Sequence, residues 1–192
     1  MSSAGPTNFP REDLPNHLIW PSLFMAVVTV AGSLYLSLGM GLKACPLCFY
    51  QRTFAMGVLA VLLMGLLSGG HRSVLNLLVL PLTVAGFAVA CQHVFLELSG
   101  RLECPKGIYG YGTAPQQSLA AYVLLLIVVM VGVARSGRIG SMHRIVFPTG
   151  IVLGIILAWA CVASAPPQVI PKKPYEGPFD TCRVPYRATT GE

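Results

Sequence analysis

Charged residues are scarce in this sequence: 13 Lys and Arg with 7 Asp and Glu make up only 10% of 192 residues. Soluble domains carry about 25%. With 54% hydrophobic residues and a mean hydropathy of +0.68, the apolar excess belongs in lipid rather than in a larger soluble core. Acidic residues are the scarcer sign, which leaves a net charge of +6. Yet the basic residues stand singly along short loops, and no block alternates basic with aromatic residues. That pattern argues against a nucleic-acid partner. Internal repeats and low-complexity tracts are also lacking, so nothing divides the apolar part into an array. A cleaved leader is not expected either. The first apolar run, 18–40, exceeds the ~7–15-residue core of a signal peptide, and Glu12 and Asp13 accompany Arg11 before it.

What is present is a series of apolar runs near the ~20 residues that span a bilayer. Five are expected, over 18–40, 46–67, 74–98, 118–134 and 145–165. The fold class is therefore all-α, a polytopic membrane bundle occupying 1–165. Pro81 and Pro148 fall inside spans, which neighbouring helices tolerate by satisfying the freed carbonyls. The remaining segment, 166–192, holds prolines at 166, 167, 171, 174, 178 and 185 and reads as an extended, polyproline-like tail. Arg135, Arg138, His143 and Arg144 mark the loop between spans four and five as cytoplasmic, with Arg72 and Arg11 on the same side. Lys43, Arg101 and Lys106 lie opposite, and the tail's Lys172, Lys173, Arg183 and Arg187 would reverse the tally if counted with them.

An odd number of crossings puts Cys45, Cys48, Cys104 and Cys182 on one side of the membrane, whichever side that is. Cys91 and Cys161 lie within spans and read as small buried hydrophobes. Cys45 and Cys48 have the spacing of a redox pair opening a helix, where free backbone N–H groups favour a thiolate. Arg52 follows Cys48 by four residues on the same face. A guanidinium inside a span is expected to face the bundle interior, the plainer alternative being an arginine that snorkels to the interface. Cys104 sits in the Gly- and Pro-rich segment 100–117, read as flexible and exposed. Cys182 lies 17 residues beyond Ala165, a reach of roughly 50 Å at polyproline pitch. An exchangeable disulfide, a structural clip and a four-cysteine zinc site all remain open for these sulfurs. His93 and Glu97 are four apart, so the carboxylate is expected to orient the imidazole unless the two form only a structural pair. Tyr50 and Gln51 read as interfacial anchors or helix-start filler.

The run Cys45-Pro46-Leu47-Cys48-Phe49-Tyr50-Gln51-Arg52 resembles the motif that opens the second span of the disulfide bond formation protein B (DsbB) family of bacterial inner-membrane, quinone-linked thiol oxidases. His93 followed by Leu96 and Leu98 is similar to that family's third-span end, and the resemblance covers about 18–134. It implies a four-helix core with active cysteines on the periplasmic side. It makes Cys45–Cys48 the quinone-linked pair, with Cys48 nearest the ring, Arg52 binding the quinone (ubiquinone or menaquinone) and His93 lining its pocket. It also implies a DsbA-like, thioredoxin-like dithiol partner in the periplasm, which would attack a Cys104–Cys182 disulfide. A fifth span and a tail cysteine depart from the family, whose second pair lies wholly in the loop between spans three and four. Which of Cys104 and Cys182 the partner attacks is therefore open. Vitamin K epoxide reductase-like proteins share the chemistry but carry their CxxC late in the bundle. A non-catalytic membrane scaffold is the alternative of a different class.

Overall fold

The computed structural model describes residues 19–69, 72–135, 140–167, 170–171 and 173–186. Arg11, Glu12, Asp13, Leu18, Arg138, Lys172 and Arg187, used in the sequence reading, lie outside them. Among the described residues there are five long helices: α1 (Ile19–Leu34), α2 (Pro46–Leu67), α3 (Arg72–Leu98), α4 (Ala114–Arg135) and α5 (Gly140–Ser164). Each contains a stretch long and apolar enough to cross a membrane, including Val74–Leu98 in α3 and Ile145–Ser164 in α5. The chain is an all-helical, polytopic membrane protein.

Except on α3, half of whose span is buried, only a stripe of each helix faces protein. On α2 the buried residues are Leu47, Gln51, Phe54, Ala55, Val58 and Leu62, spaced by threes and fours along one face. On α4, Tyr122, Leu125, Val129 and Val133 do the same. The opposite faces expose Leu124, Ile127, Ile156 and Trp159, as suits side chains solvated by lipid. The central helix is α3, which packs on α2, α4 and α5, while α1 closes the core against α2 and α4. The helix α5 approaches α3 through small residues. A Cβ on Gly154 would stand 2.7 Å from the Pro81 carbonyl oxygen, and one on Gly150 would stand 3.2 Å from Leu80.

Two details differ from expectation, one a span boundary and one the form of a helix end. Helix α4 begins at Ala114 rather than 118, because Pro115 sits in the first turn, where a missing N–H costs nothing. Helix α1 widens into a π-turn over Tyr35–Gly39 before it ends.

The tail is not helical over its described residues and returns across the bundle end. Lys43 donates its backbone N–H to the Asp180 carbonyl at 2.7 Å. Its ammonium pairs with the Asp180 carboxylate at 2.9 Å. Glu103 and Arg183 exchange backbone hydrogen bonds of 2.8 and 2.9 Å as an antiparallel bridge. The Arg183 guanidinium lies 4.3 Å from the Tyr175 ring centroid and 4.5 Å from that of Phe179. These ties bracket Cys182 and fix where its sulfur falls.

Candidate functional site

Helix α2 opens with Pro46 at its first position and Cys45 as its N-cap, φ −70° and ψ 165°. The Cys45 sulfur stands where a capping oxygen usually does and accepts the Cys48 backbone N–H at 3.3 Å. The two sulfurs are 2.9 Å apart, both free thiols. The hydrogen bond from Cys48 holds Cys45 well below the usual thiol pKa; burial opposes this, and His93 adds to the lowering.

Cys104 and Cys182 form a disulfide. Both are buried at 8% exposure, so Cys104 itself is not exposed as expected, although much of the surrounding segment is. The Gln117 side chain pins that loop, donating to the Ile108 and Tyr111 carbonyls at 3.0 and 2.8 Å and accepting the Ile108 N–H at 2.9 Å. Its tip, Tyr109 and Tyr111, stands clear, as do Arg101, Glu103 and Lys106.

His93 is fully buried among these sulfurs. Its Nε2 lies 3.7 Å from Cys45 Sγ and 3.6 Å from Cys104 Sγ, and its Nδ1 lies 4.0 Å from Cys48 Sγ. One donor atom each from Cys45, Cys48, His93 and Cys182 falls within a common 4.8 Å. The expectation that Glu97 orients this ring is not met. Glu97 accepts from Thr113 Oγ1 at 2.9 Å, and the side chain on Nδ1 is Gln51, at 3.3 Å. Nor do four thiols remain for an all-cysteine zinc site, since two of the four sulfurs are bonded to each other.

Beside the sulfurs a cavity of about 220 Å³ opens between α1, α2 and α4. Val28, Leu36 and Ala55 give it apolar walls, while Cys48, Cys182, Arg52 and Lys43 supply its reactive and charged groups. His93 is not among the lining residues, because it lies behind the cysteines rather than on the cavity wall. Arg52 turns inward: its Nε donates to Ser33 Oγ at 2.9 Å, and its Nη2 donates to the Ser33 carbonyl at 2.9 Å and to Ser37 Oγ. The π-turn follows Ser33 and contains Ser37. No carboxylate pairs with Arg52 among the described residues.

Sequence reasoning missed Ser33, Ser37, Gln51 and Ser118. The available signal was a polar side chain in an apolar span, which is expensive unless it meets a partner in the bundle.

A reduced pair capping one helix, a disulfide against it and a shared imidazole define a membrane-embedded dithiol–disulfide protein. The family model described as disulfide bond formation protein DsbB matches residues 15–121, and the chain belongs to that family. Disulfide bond formation protein B 1 of Pseudomonas aeruginosa is 34% identical over 86 residues, 43% of this chain and 53% of the relative. Disulfide bond formation protein C of Bacillus subtilis is 28% identical over 123 residues, 57% of this chain and 87% of its own length. A probable disulfide formation protein of Chlamydia trachomatis is 28% identical over 116 residues, 55% of this chain and 82% of its own. The chain thus spans about half the length of the Pseudomonas relative. No solved structure matches. The family match ends before α5 and the tail, so Cys182 lies beyond it.

Proposed function

We propose that this protein is a thiol:quinone oxidoreductase of the bacterial inner membrane. It re-oxidises a periplasmic, DsbA-like, thioredoxin-like dithiol protein and delivers the electrons to ubiquinone or menaquinone. In this reading 1–165 form the bundle and 166–192 the periplasmic tail, with Cys45, Cys48, Cys104 and Cys182 catalytic. One observation carries it: four sulfurs gather around His93 at one bundle end, with Cys48 on the wall of an apolar cavity that holds an arginine.

The residues present suit a quinone. A flat, neutral dione needs apolar walls and a donor for developing negative charge, and Val28, Leu36 and Arg52 are of those kinds. When bound, a quinone takes up two electrons and two protons.

The geometry supports the following steps by the chain's own residues. A partner thiolate attacks Cys104, forming a mixed disulfide and releasing Cys182 as the thiolate. Cys182 is assigned the relay because its sulfur falls in the group with Cys45 and Cys48. It attacks Cys45 in the oxidised Cys45–Cys48 pair, and Cys48 leaves as a thiolate on the cavity wall, four residues from Arg52 on α2. The partner's second thiol, losing its proton to solvent, resolves the mixed disulfide and frees Cys104 as the thiolate. Cys104 then attacks Cys182, the Cys104–Cys182 bond re-forms and Cys45 is released. The outcome is the state described above, with Cys45 and Cys48 free and the other pair bonded.

The test is quinone consumption by the purified full chain in nanodiscs, supplied with a reduced thioredoxin-like protein. Turnover that Cys48→Ala abolishes supports the reading, and wild-type protein that consumes no quinone overturns it.

A further inference from the structure

Gln51 is 4% exposed, deep in the bundle, and each end of its side chain is engaged. Ser118 Oγ donates to its carbonyl Oε1 at 2.5 Å, and its amide nitrogen lies 3.3 Å from His93 Nδ1. Tyr122, itself buried, donates its hydroxyl to the Gln51 backbone carbonyl and fixes the helix at that residue. An amide NH2 only donates, so with the amide nitrogen turned to the ring, Nδ1 must accept. A neutral imidazole accepting at Nδ1 carries its proton on Nε2. That atom faces Cys45 Sγ at 3.7 Å and Cys104 Sγ at 3.6 Å.

Those two sulfurs are the ones whose charge changes when the second pair re-forms. The Cys182–Cys45 bond breaks, the Cys104–Cys182 bond forms, and the negative charge of the attacking Cys104 thiolate passes to the leaving Cys45 thiolate. No electron enters or leaves the chain in that step. The groups facing the ring are Cys45, Cys48 and Gln51 from the start of α2, Cys104 from the α3–α4 loop and Cys182 from the tail. Among the described residues no charged side chain hydrogen-bonds to it, since Arg52 turns to Ser33 and Ser37 and Glu97 to Thr113.

We propose that Gln51, oriented by Ser118, is a positioning residue that locks His93 with its proton on Nε2, so that the imidazole serves the sulfur-to-sulfur hand-off between Cys104 and Cys45. This rests on the thiol-relay reading above and assigns to the sulfurs a histidine that the sequence placed at the quinone.

The experiment uses the full chain in nanodiscs with ¹⁵N-labelled histidine, the His93 signals being assigned by their loss in His93→Phe. Nitrogen shifts report which ring atom is protonated, with no need for quinone or turnover. Wild type is expected to show a bare Nδ1 and a protonated Nε2. Gln51→Glu, nearly isosteric but only an acceptor, is expected to draw a proton onto Nδ1. Ser118→Ala is expected to mix the two tautomers, and Ser118→Thr, which keeps the hydroxyl, to preserve the wild-type pattern. In quinone-free single turnovers, Gln51→Leu is expected to slow electron transfer from reduced Cys104 and Cys182 to Cys45–Cys48 by about tenfold, less than the ~10²–10⁴-fold contribution of a full general acid. The proposal is overturned by a wild-type proton on Nδ1, or by Gln51→Glu and Ser118→Ala that both keep the wild-type tautomer. A chain that failed to reduce quinone would sink the proposed activity while leaving this ring measurement standing.

Discussion

Replacing Arg52 by methionine removes one of two cations lining the cavity, the other, Lys43, being paired with Asp180, while keeping a long apolar stem. On α2, Arg52 follows Cys48 by one helical turn, and such neighbours lie about 5–6 Å apart. A unit charge at about 6 Å in an effective dielectric of about 20 is worth roughly 2.8 kcal/mol. If that favours the Cys48 thiolate and the charge passing to the quinone, its loss slows oxidation of the Cys45–Cys48 dithiol about a hundredfold. The assay is stopped-flow oxidation of the reduced full chain by excess quinone in nanodiscs, scored by mass mapping of the Cys45–Cys48 disulfide. Arg52→Lys keeps a point charge but not the fork that reaches Ser33 and Ser37, so its rate is expected between those of wild type and Arg52→Met. Folded Arg52→Met protein reacting within threefold of wild type would refute the electrostatic argument.

The depressed pKa of Cys45 predicts a pH profile of known sign. Its thiolate persists as pH falls below the usual thiol range, so iodoacetamide should still label Cys45 at about pH 6, where an ordinary thiol of pKa about 8.5 is mostly protonated. Labelling that fell off with an ordinary thiol profile would contradict the capped-thiolate geometry. Cys182→Ala is expected to stop oxidation of the protein partner but to leave oxidation of a small dithiol by way of Cys45–Cys48, measured as quinone loss with each donor. A Cβ on Gly86 would stand 2.2 Å from the Tyr122 ring, so Gly86→Val should overpack the α3–α4 contact by about 1–3 kcal/mol and lower the thermal midpoint. Lys43→Ala breaks an exposed ion pair and should change stability by less than about 1 kcal/mol in the same melt.

Apolar run length placed all five spans, and the cysteine spacing located the start of α2, because both are local properties of the sequence. The shared side of the four sulfurs followed from counting crossings. What was not legible depended on packing between segments distant in sequence. Gln51 looked like filler until α4 brought Ser118 to one end of its amide and α3 brought His93 to the other. Glu97 shares a helix with His93 but is claimed by Thr113, whose position depends on how the α3–α4 loop closes. The disulfide's burial was hidden for the same reason: glycine and proline content describes the loop's composition, not the tail that folds over it. The start of α4 was misread because Pro115 was taken as a loop residue rather than a first-turn proline.

The central claim is that the tail cysteine passes reducing equivalents directly to the helix-capping pair. Non-reducing mass mapping of the Cys48→Ala, Cys104→Ala double variant, air-oxidised in nanodiscs, tests it by leaving Cys182 and Cys45 as the two sulfurs of the cluster. The account predicts a Cys45–Cys182 disulfide in most molecules. Protein in which the two remain separate thiols, with Cys182 reached only by reagents added to the side opposite Cys45, would contradict it.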